Sequence, residues 1–241
     1  MNIHRRYIFA SGGLDSFAGS LLYGDAVPVF VRTGLRYEDR DLGAARALFG
    51  DRLRVIENTV PYPAKVDDAH VHWRNFGLLK SLLDYLSPLC QGSLDGIEVL
   101  FSCPKGGITR DTTPAFLRAL ECVAASSTFS DLRVRNSVAG RTKTDLLRLV
   151  REVAPYSETD VRSCYADNTY ACGRCVACCN RFVAERTLAR ERFATPDAIS
   201  GMSPYDEDPR PYLRAIVATR GWVDRWRMGA SWYLDVVRAC R

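Results

Sequence analysis

The sequence predicts an α/β fold, a parallel sheet with helices on both faces, and three observations predict it. Short apolar runs alternate with segments of helical spacing over most of residues 5–153, the pattern of repeated strand–helix–strand units. A glycine-rich stretch, SGGLDS, lies between the first apolar run and the first amphipathic one, which is where a sheet of this kind binds its ligand. The chain of 241 residues, 47% of them hydrophobic, suffices for one large domain with a smaller appendage.

Each element has its own signal. Residues 7–10 form a short β-like run and 16–23 a helix after the glycine loop. AVPVFVR at 26–32 is the second strand, and RDLGAARALF at 40–49 is a helix ending at Gly50. Residues 53–60 make a third strand, followed by the turn-rich PYPAK. RNFGLLKSLLDYL at 74–86 is a helix stopped before Pro88, because proline removes an amide donor and crowds the preceding turn. IEVLFS at 97–102 reads as a buried strand, and 114–125 as a helix with Pro114 in its first turn. A strand at 132–138 and a helix at 142–153 complete the series. After Pro155 the texture becomes polar and cysteine-rich to residue 180, then helical over 181–192. Residues 195–211 hold four prolines and an acidic DED run, a linker composition. The last thirty residues, with Trp222, Trp226 and Trp232, read as helical, and these tryptophans fit core or dimer contacts. The expected division is a domain at 1–186 and a helical extension at 187–241.

Charge narrows the function classes little. The net charge is +5, carried by 29 arginines against 4 lysines, without a dense basic run. Direct nucleic-acid binding is not expected on that basis. No apolar stretch approaches the roughly 20 residues that span a bilayer, and the N-terminus lacks the pattern of a signal peptide. A cytoplasmic protein is expected.

In SGGLDS, a strand, a tight turn and a helix start converge their backbone N–H groups on one point, an arrangement that binds phosphate. Gly12 and Gly13 permit close approach of backbone, and Ser11 and Ser16 add hydroxyl donors. Asp15 would repel phosphate directly, and makes sense if it caps the loop or holds Mg²⁺ against the phosphates. No Gly-Lys-Ser/Thr follows, so the loop is not of the Walker A type.

Of the nine cysteines, five lie at 164–179, in SCYADNTYACGRCVACC. Cys164, Cys172, Cys175 and Cys178 are spaced to close around Zn²⁺ as a structural four-sulfur site, with an iron–sulfur cluster as the competing occupant. Cys179 is a spare that points elsewhere if the loop turns regularly. Cys103 follows a strand end and is expected to be buried packing rather than a nucleophile. His70 and His72 read as loop histidines.

SGGLDS matches the SGGxDS signature of the PP-loop ATP pyrophosphatases, and with Cys-Tyr at 164–165 and the later cysteines it resembles the 7-cyano-7-deazaguanine synthase family over about residues 5–186. The resemblance implies an adenine-nucleotide-hydrolase-like domain with a structural zinc. It implies that Ser11, Gly12, Gly13, Leu14, Asp15 and Ser16 grip the pyrophosphate end of ATP. The implied reaction adenylates a 7-deazapurine carboxylate, replaces AMP with an amine, and can dehydrate the amide to a nitrile. Such chemistry serves deazaguanine modification of nucleic acid or a defence pathway. Lys143 and Arg74 match family landmarks: Lys143 is expected to stabilise charge on the α-phosphate and Arg74 to hold ATP phosphate or the substrate carboxylate, with Asp15 as the catalytic residue that holds Mg²⁺, while Asn75 and Asp111 are expected to orient substrate. Departures lie on the substrate side. GLRY at 34–37 stands where the family has Gly-Gln-Arg-His, Thr112-Thr113 replaces Cys-Arg, and Lys105 falls near a family aspartate. The altered segment allows a product that stays at the amide or an amine other than ammonia. A tRNA sulfurtransferase and a non-catalytic nucleotide-binding subunit are the other readings. The extension is expected to serve homo-oligomerisation or a partner protein.

Overall fold

The computed structural model describes residues 5–35, 37–59, 74–106, 110–128, 130–154, 161, 164, 171–173, 175–192, 208 and 210–211. Five strands form one parallel sheet: β1 (Arg6–Phe9), β2 (Val27–Arg32), β3 (Arg54–Glu57), β4 (Glu98–Phe101) and β5 (Arg133–Asn136), in the order β3-β2-β1-β4-β5. The helices are α1 (Leu14–Leu22), α2 (Glu38–Phe49), α3 (Arg74–Leu89), α4 (Pro114–Thr128), α5 (Lys143–Val153) and α6 (Val176–Arg192).

Alternation along each strand sorts the side chains between two layers. Tyr7 and Phe9 of β1, with Val99 and Phe101 of β4, pack against Leu79, Leu82 and Leu86 of α3 and Leu117 and Leu120 of α4. On the other face Ala10 and Phe30 meet Leu14 and Phe17 of α1, Leu42 and Phe49 of α2, and Leu146 and Leu147 of α5. The Phe9 and Phe101 rings lie 4.7 Å apart between centroids, fixing β1 beside β4. The strand order reverses between these two strands, so their carboxyl ends open a crevice, and SGGLDS leaves β1 at that point.

Several helix boundaries shift, with α1 starting at Leu14 rather than 16 and α4 ending at Thr128 rather than 125. The helix expected to stop before Pro88 runs on to Leu89, with Pro88 in its last turn. The end is set instead by left-handed backbone at Gln91 (φ 53°) and Gly92 (φ 86°), with Gly92 N–H donating to the Ser87 carbonyl at 2.9 Å. α6 starts at Val176 rather than 181, because the Cys175 sulfur accepts from the Cys178 amide at 3.4 Å and so takes the place of an N-cap oxygen. α2 begins at Glu38, two residues before the expected start. α6 crosses residue 186 without a break, and its buried Arg181–Glu185 ion pair (2.8 Å) is tied to the Val161 carbonyl by Arg181 Nη1 at 2.6 Å.

Among the described residues no helix is long and apolar enough to cross a membrane. His70, His72, Tyr165, the three C-terminal tryptophans and almost all of 193–241 lie outside the described residues.

Candidate functional site

A cleft of about 240 Å³ opens at the carboxyl ends of β1, β2 and β4. Its phosphate end is the turn from β1 into α1. Gly13 is the N-cap of α1 and supplies no capping side chain, so the first amides of the helix remain available to an anion. Ser16 Oγ donates to the Gly13 carbonyl at 3.1 Å and accepts from the Ser11 amide at 3.2 Å, which holds the turn closed. Ser11, Gly13, Leu14, Asp15 and Ser16 all line the cleft.

Gly12 permits close backbone approach, and the neighbour it approaches is α2. The glycine has φ +68°, and a Cβ there would stand 2.7 Å from Ala44 Cβ and 2.8 Å from the Asp41 carbonyl oxygen. Its missing side chain lets the loop sit directly on α2.

Lys143 reaches into the cleft from the first turn of α5, where its Nζ donates to Asp15 Oδ2 at 3.0 Å across 128 residues of sequence. The helix start is held by a capping box, with Thr142 Oγ1 accepting from the Asp145 amide and Asp145 accepting from the Thr142 amide. The other oxygen of Asp15, Oδ1, is buried without a hydrogen-bond partner. A buried carboxylate oxygen in that condition suits a cation or a protonated ligand, so the residues fit Mg²⁺ carried in with ATP.

The far wall of the cleft is built by α2, α3 and the loop after β2. Glu38 is 7% exposed, and accepts from the Thr33 amide, from the Gly34 amide at 2.6 Å and from Arg32 Nε at 2.9 Å. Burial raises its pKa, but the Arg32 guanidinium and the two amides outweigh burial and leave it below the ordinary value. Glu38 thereby latches the GLRY loop. Tyr37, in the position where a family histidine is expected, lines the cleft, and burial lifts its phenol against the pull of the nearby Arg74. Asp41 also lines the cleft, and burial pushes its carboxyl up to about 6 against the pull of Arg40 and Arg74.

Arg74 and Asn75 sit in the first turn of α3 and both line the cleft. Asn75 Nδ2 donates to the Asp111 carbonyl at 2.8 Å, so Asp111 meets Asn75 through its backbone, while Thr112 supplies the lining at that point. Lys105 is exposed and outside the lining, its backbone bridging to Thr142 beside the α5 cap. Cys103 lines the cleft but is held as a thiol, since burial, reinforced by the Asp15 and Asp111 charges, raises its pKa to about 12. Asp41, Arg40 and Glu38 escaped the reading of the sequence; the acidic EDRD opening the helix after the β2 loop was the available signal.

The four expected metal ligands converge. The sulfurs of Cys164, Cys172, Cys175 and Cys178 all lie within 4.8 Å of one another, with Cys172 and Cys178 at 3.9 Å. Tetrahedral Zn–S bonds of about 2.3 Å require a sulfur–sulfur spacing of roughly 3.8 Å. The neighbouring Cys164 and Cys175 sulfurs drive the Cys178 thiol far above its usual pKa, a crowding that a divalent cation relieves. The donor set fits a metal such as zinc. Cys179 stands apart, with its sulfur toward the Gly173 carbonyl at 3.7 Å. Cys164 and Ala177 line the cleft, so the metal loop forms part of its wall.

A search of curated proteins finds no match to this chain. The model of the family described as "Queuosine biosynthesis protein QueC" matches residues 44–188, more than half of the chain. That match spans Lys143, Arg74 and the four clustered cysteines, while SGGLDS lies ahead of it and agrees independently. With a parallel sheet, a phosphate-type loop at its switch point and four converging thiols, the chain belongs to the QueC family, ATP-using enzymes of the PP-loop class with deazaguanine-type biosynthetic chemistry.

Proposed function

We propose that the protein is an ATP-dependent carbon–nitrogen ligase that adenylates a 7-deazapurine carboxylate and converts it to the amide or the nitrile. The observation that carries this reading is the Lys143–Asp15 pair, 3.0 Å long, set across the uncapped start of α1. The α1 amides and the Ser11 hydroxyl face the pyrophosphate of ATP, Ser16 holds the turn closed behind them, and Asp15 offers its unpaired Oδ1 to Mg²⁺. Bound Mg²⁺ would neutralise charge on the phosphates. A carboxylate oxygen of the acceptor attacks the α-phosphorus, pyrophosphate leaves, and an acyl adenylate forms. An amine then attacks the acyl carbon and AMP departs, leaving the amide. A second adenylation, on the amide oxygen, followed by loss of AMP gives the nitrile. Lys143 stabilises the charge that builds on the α-phosphate, and Arg74 holds phosphate or the acceptor's carboxylate. The protein's contribution is positioning and charge stabilisation.

Purified protein incubated with ATP, Mg²⁺, ammonium and 7-carboxy-7-deazaguanine, followed by mass spectrometry, tests this. Amide or nitrile with AMP is expected, absent with Asp15→Ala and lowered about 10²- to 10³-fold with Lys143→Met. A zinc-loaded protein that binds ATP without turnover would favour the role of a nucleotide-binding subunit. Sulfur transfer has less support, since the best cysteines are gathered for a metal and Cys103 stays protonated.

A further inference from the structure

We propose that Asp41 reads the acceptor molecule: its Oδ2 accepts a hydrogen bond from an amino-heteroaromatic N–H edge, and Arg40 holds the carboxylate in place. This assignment rests on the ligase reading above and names the residue that selects the substrate.

Among the described residues three carboxylates line the cleft, Asp15, Glu38 and Asp41. Asp15 belongs to the phosphate end and is paired with Lys143. Glu38 is saturated by two backbone amides and Arg32. Asp41 accepts from Arg40 Nη2 through Oδ1 at 3.0 Å, and its Oδ2 has no hydrogen-bond partner among the described residues. The side chain is 20% exposed, so this oxygen is open to a ligand.

The sign of the charge decides what sits there. An acceptor's own carboxylate is repelled by Asp41 and goes toward Lys143, which is paired with Asp15 at the phosphate end. The opposite end of the molecule, which meets Asp41, must present hydrogen-bond donors. Asn75 strengthens the selection. Its Nδ2 is engaged by the Asp111 carbonyl, which leaves the amide oxygen of a cleft-lining residue to accept from the same ligand. A carboxylate and an amide oxygen together favour a ring with an exocyclic amino group beside a ring N–H.

Two contacts make Asp41 a reader of fixed position. Its carbonyl oxygen packs against Gly12, so it is seated on the phosphate loop. Arg40, 12% exposed, bridges Asp41 Oδ1 to the Cys164 carbonyl of the metal loop. Arg40 is thus a positioning residue that connects the metal loop to the acceptor wall.

Calorimetric titration of wild type and Asp41→Asn tests the assignment with three probes. These are Mg²⁺ with a non-hydrolysable ATP analogue, 7-carboxy-7-deazaguanine, and the same compound without its 2-amino group. Asparagine is nearly isosteric, and metal content and melting temperature verify that the variant is folded. Affinity of the variant for 7-carboxy-7-deazaguanine is expected to fall roughly 10- to 100-fold, the loss of a charged hydrogen bond. The ATP analogue is expected to bind within about 2-fold of wild type, because the Asp41 carboxylate bonds Arg40 rather than any group of the phosphate loop. Removing the 2-amino group is expected to weaken wild type strongly and the variant less than about 3-fold, since the partner of that group is already gone. Arg40→Gln is expected to weaken the acceptor in wild type but to add nothing in the Asp41→Asn background, the non-additivity of a residue acting through another.

Unchanged acceptor affinity in Asp41→Asn overturns the proposal and leaves the ligase reading standing. A loss confined to the ATP analogue overturns it by moving Asp41 to the phosphate end. A wild type that binds the ATP analogue but neither deazapurine overturns both the acceptor class and this assignment, and the wild-type titration alone reveals it.

Discussion

Cys103 shows how a single residue's environment decides its chemistry. It stands in the cleft at the end of β4, a position from which a thiolate could attack a bound substrate. Burial, with the Asp15 and Asp111 charges, raises its pKa to about 12, so the thiol stays protonated and unreactive at neutral pH. Native protein treated with iodoacetamide at pH 8 is expected to be modified at the exposed Cys122 and to leave Cys103 untouched in peptide maps. Cys103→Ala is expected to keep ligase turnover within about 3-fold, as suits a side chain that packs without reacting. Rapid labelling of Cys103 or loss of turnover would return sulfur transfer to consideration.

At the scale of elements, the cleft depends on how closely α1 and the β2–α2 loop approach the sheet. Gly19 of α1 faces the ends of β4 and β5, where a Cβ would lie 2.5 Å from Ser137 Oγ, 2.6 Å from Ser102 Oγ and 2.9 Å from Ile8 Cδ1. Gly19→Ala is therefore expected to destabilise the fold by about 1–3 kcal/mol, read as a lower denaturation midpoint. An unchanged midpoint would mean that the two serine hydroxyls rotate away at little cost. The Glu38 latch makes a pH-dependent contribution. Its folded pKa lies below the ordinary 4.5, so below that pH the unfolded chain binds the extra proton. The stability it contributes is present above about pH 4.5 and is lost as the pH falls further. Urea midpoints between pH 3 and 6 are expected to slope less steeply in Glu38→Gln than in wild type. Equal slopes would show that other carboxylates govern the acid limb.

At the scale of the whole molecule, two ties among the described residues join the cysteine cluster and α6 to the rest of the fold. Arg40 bonds the Cys164 carbonyl on the cleft side, and the buried Arg181–Glu185 pair anchors α6 to Val161 behind it. α6 packs on α5, which carries Lys143, and α5 packs on α1, which carries Asp15. Stripping the metal with a chelator is expected to lower the melting temperature and to weaken acceptor binding more than ATP binding. Cobalt(II) substituted into the site should show the thiolate charge-transfer absorption of a four-sulfur tetrahedral centre. A chelated protein with unaltered melting would mean that the ion pair alone holds the loop.

The sequence by itself determined the local and the periodic. Alternating strand and helix patterns set the α/β class, SGGLDS placed a glycine-rich turn between β1 and α1, and the spacing of Cys164, Cys172, Cys175 and Cys178 named a cluster that could hold a metal. The α/β class and the convergence of the four cysteines were legible because each rests on neighbours in the chain: hydrophobic period and ligand spacing. The helix running through Pro88 and the early start of α6 were not legible, since a left-handed turn and a capping sulfur overrode the residue preferences. The tertiary structure alone decided that Lys143 meets Asp15 across 128 residues, that Gly12 backs onto α2, and that Asp41 faces the cleft. Those facts follow from strand order and helix packing, which bring distant segments to one edge of the sheet. No pattern within a single segment encodes that meeting.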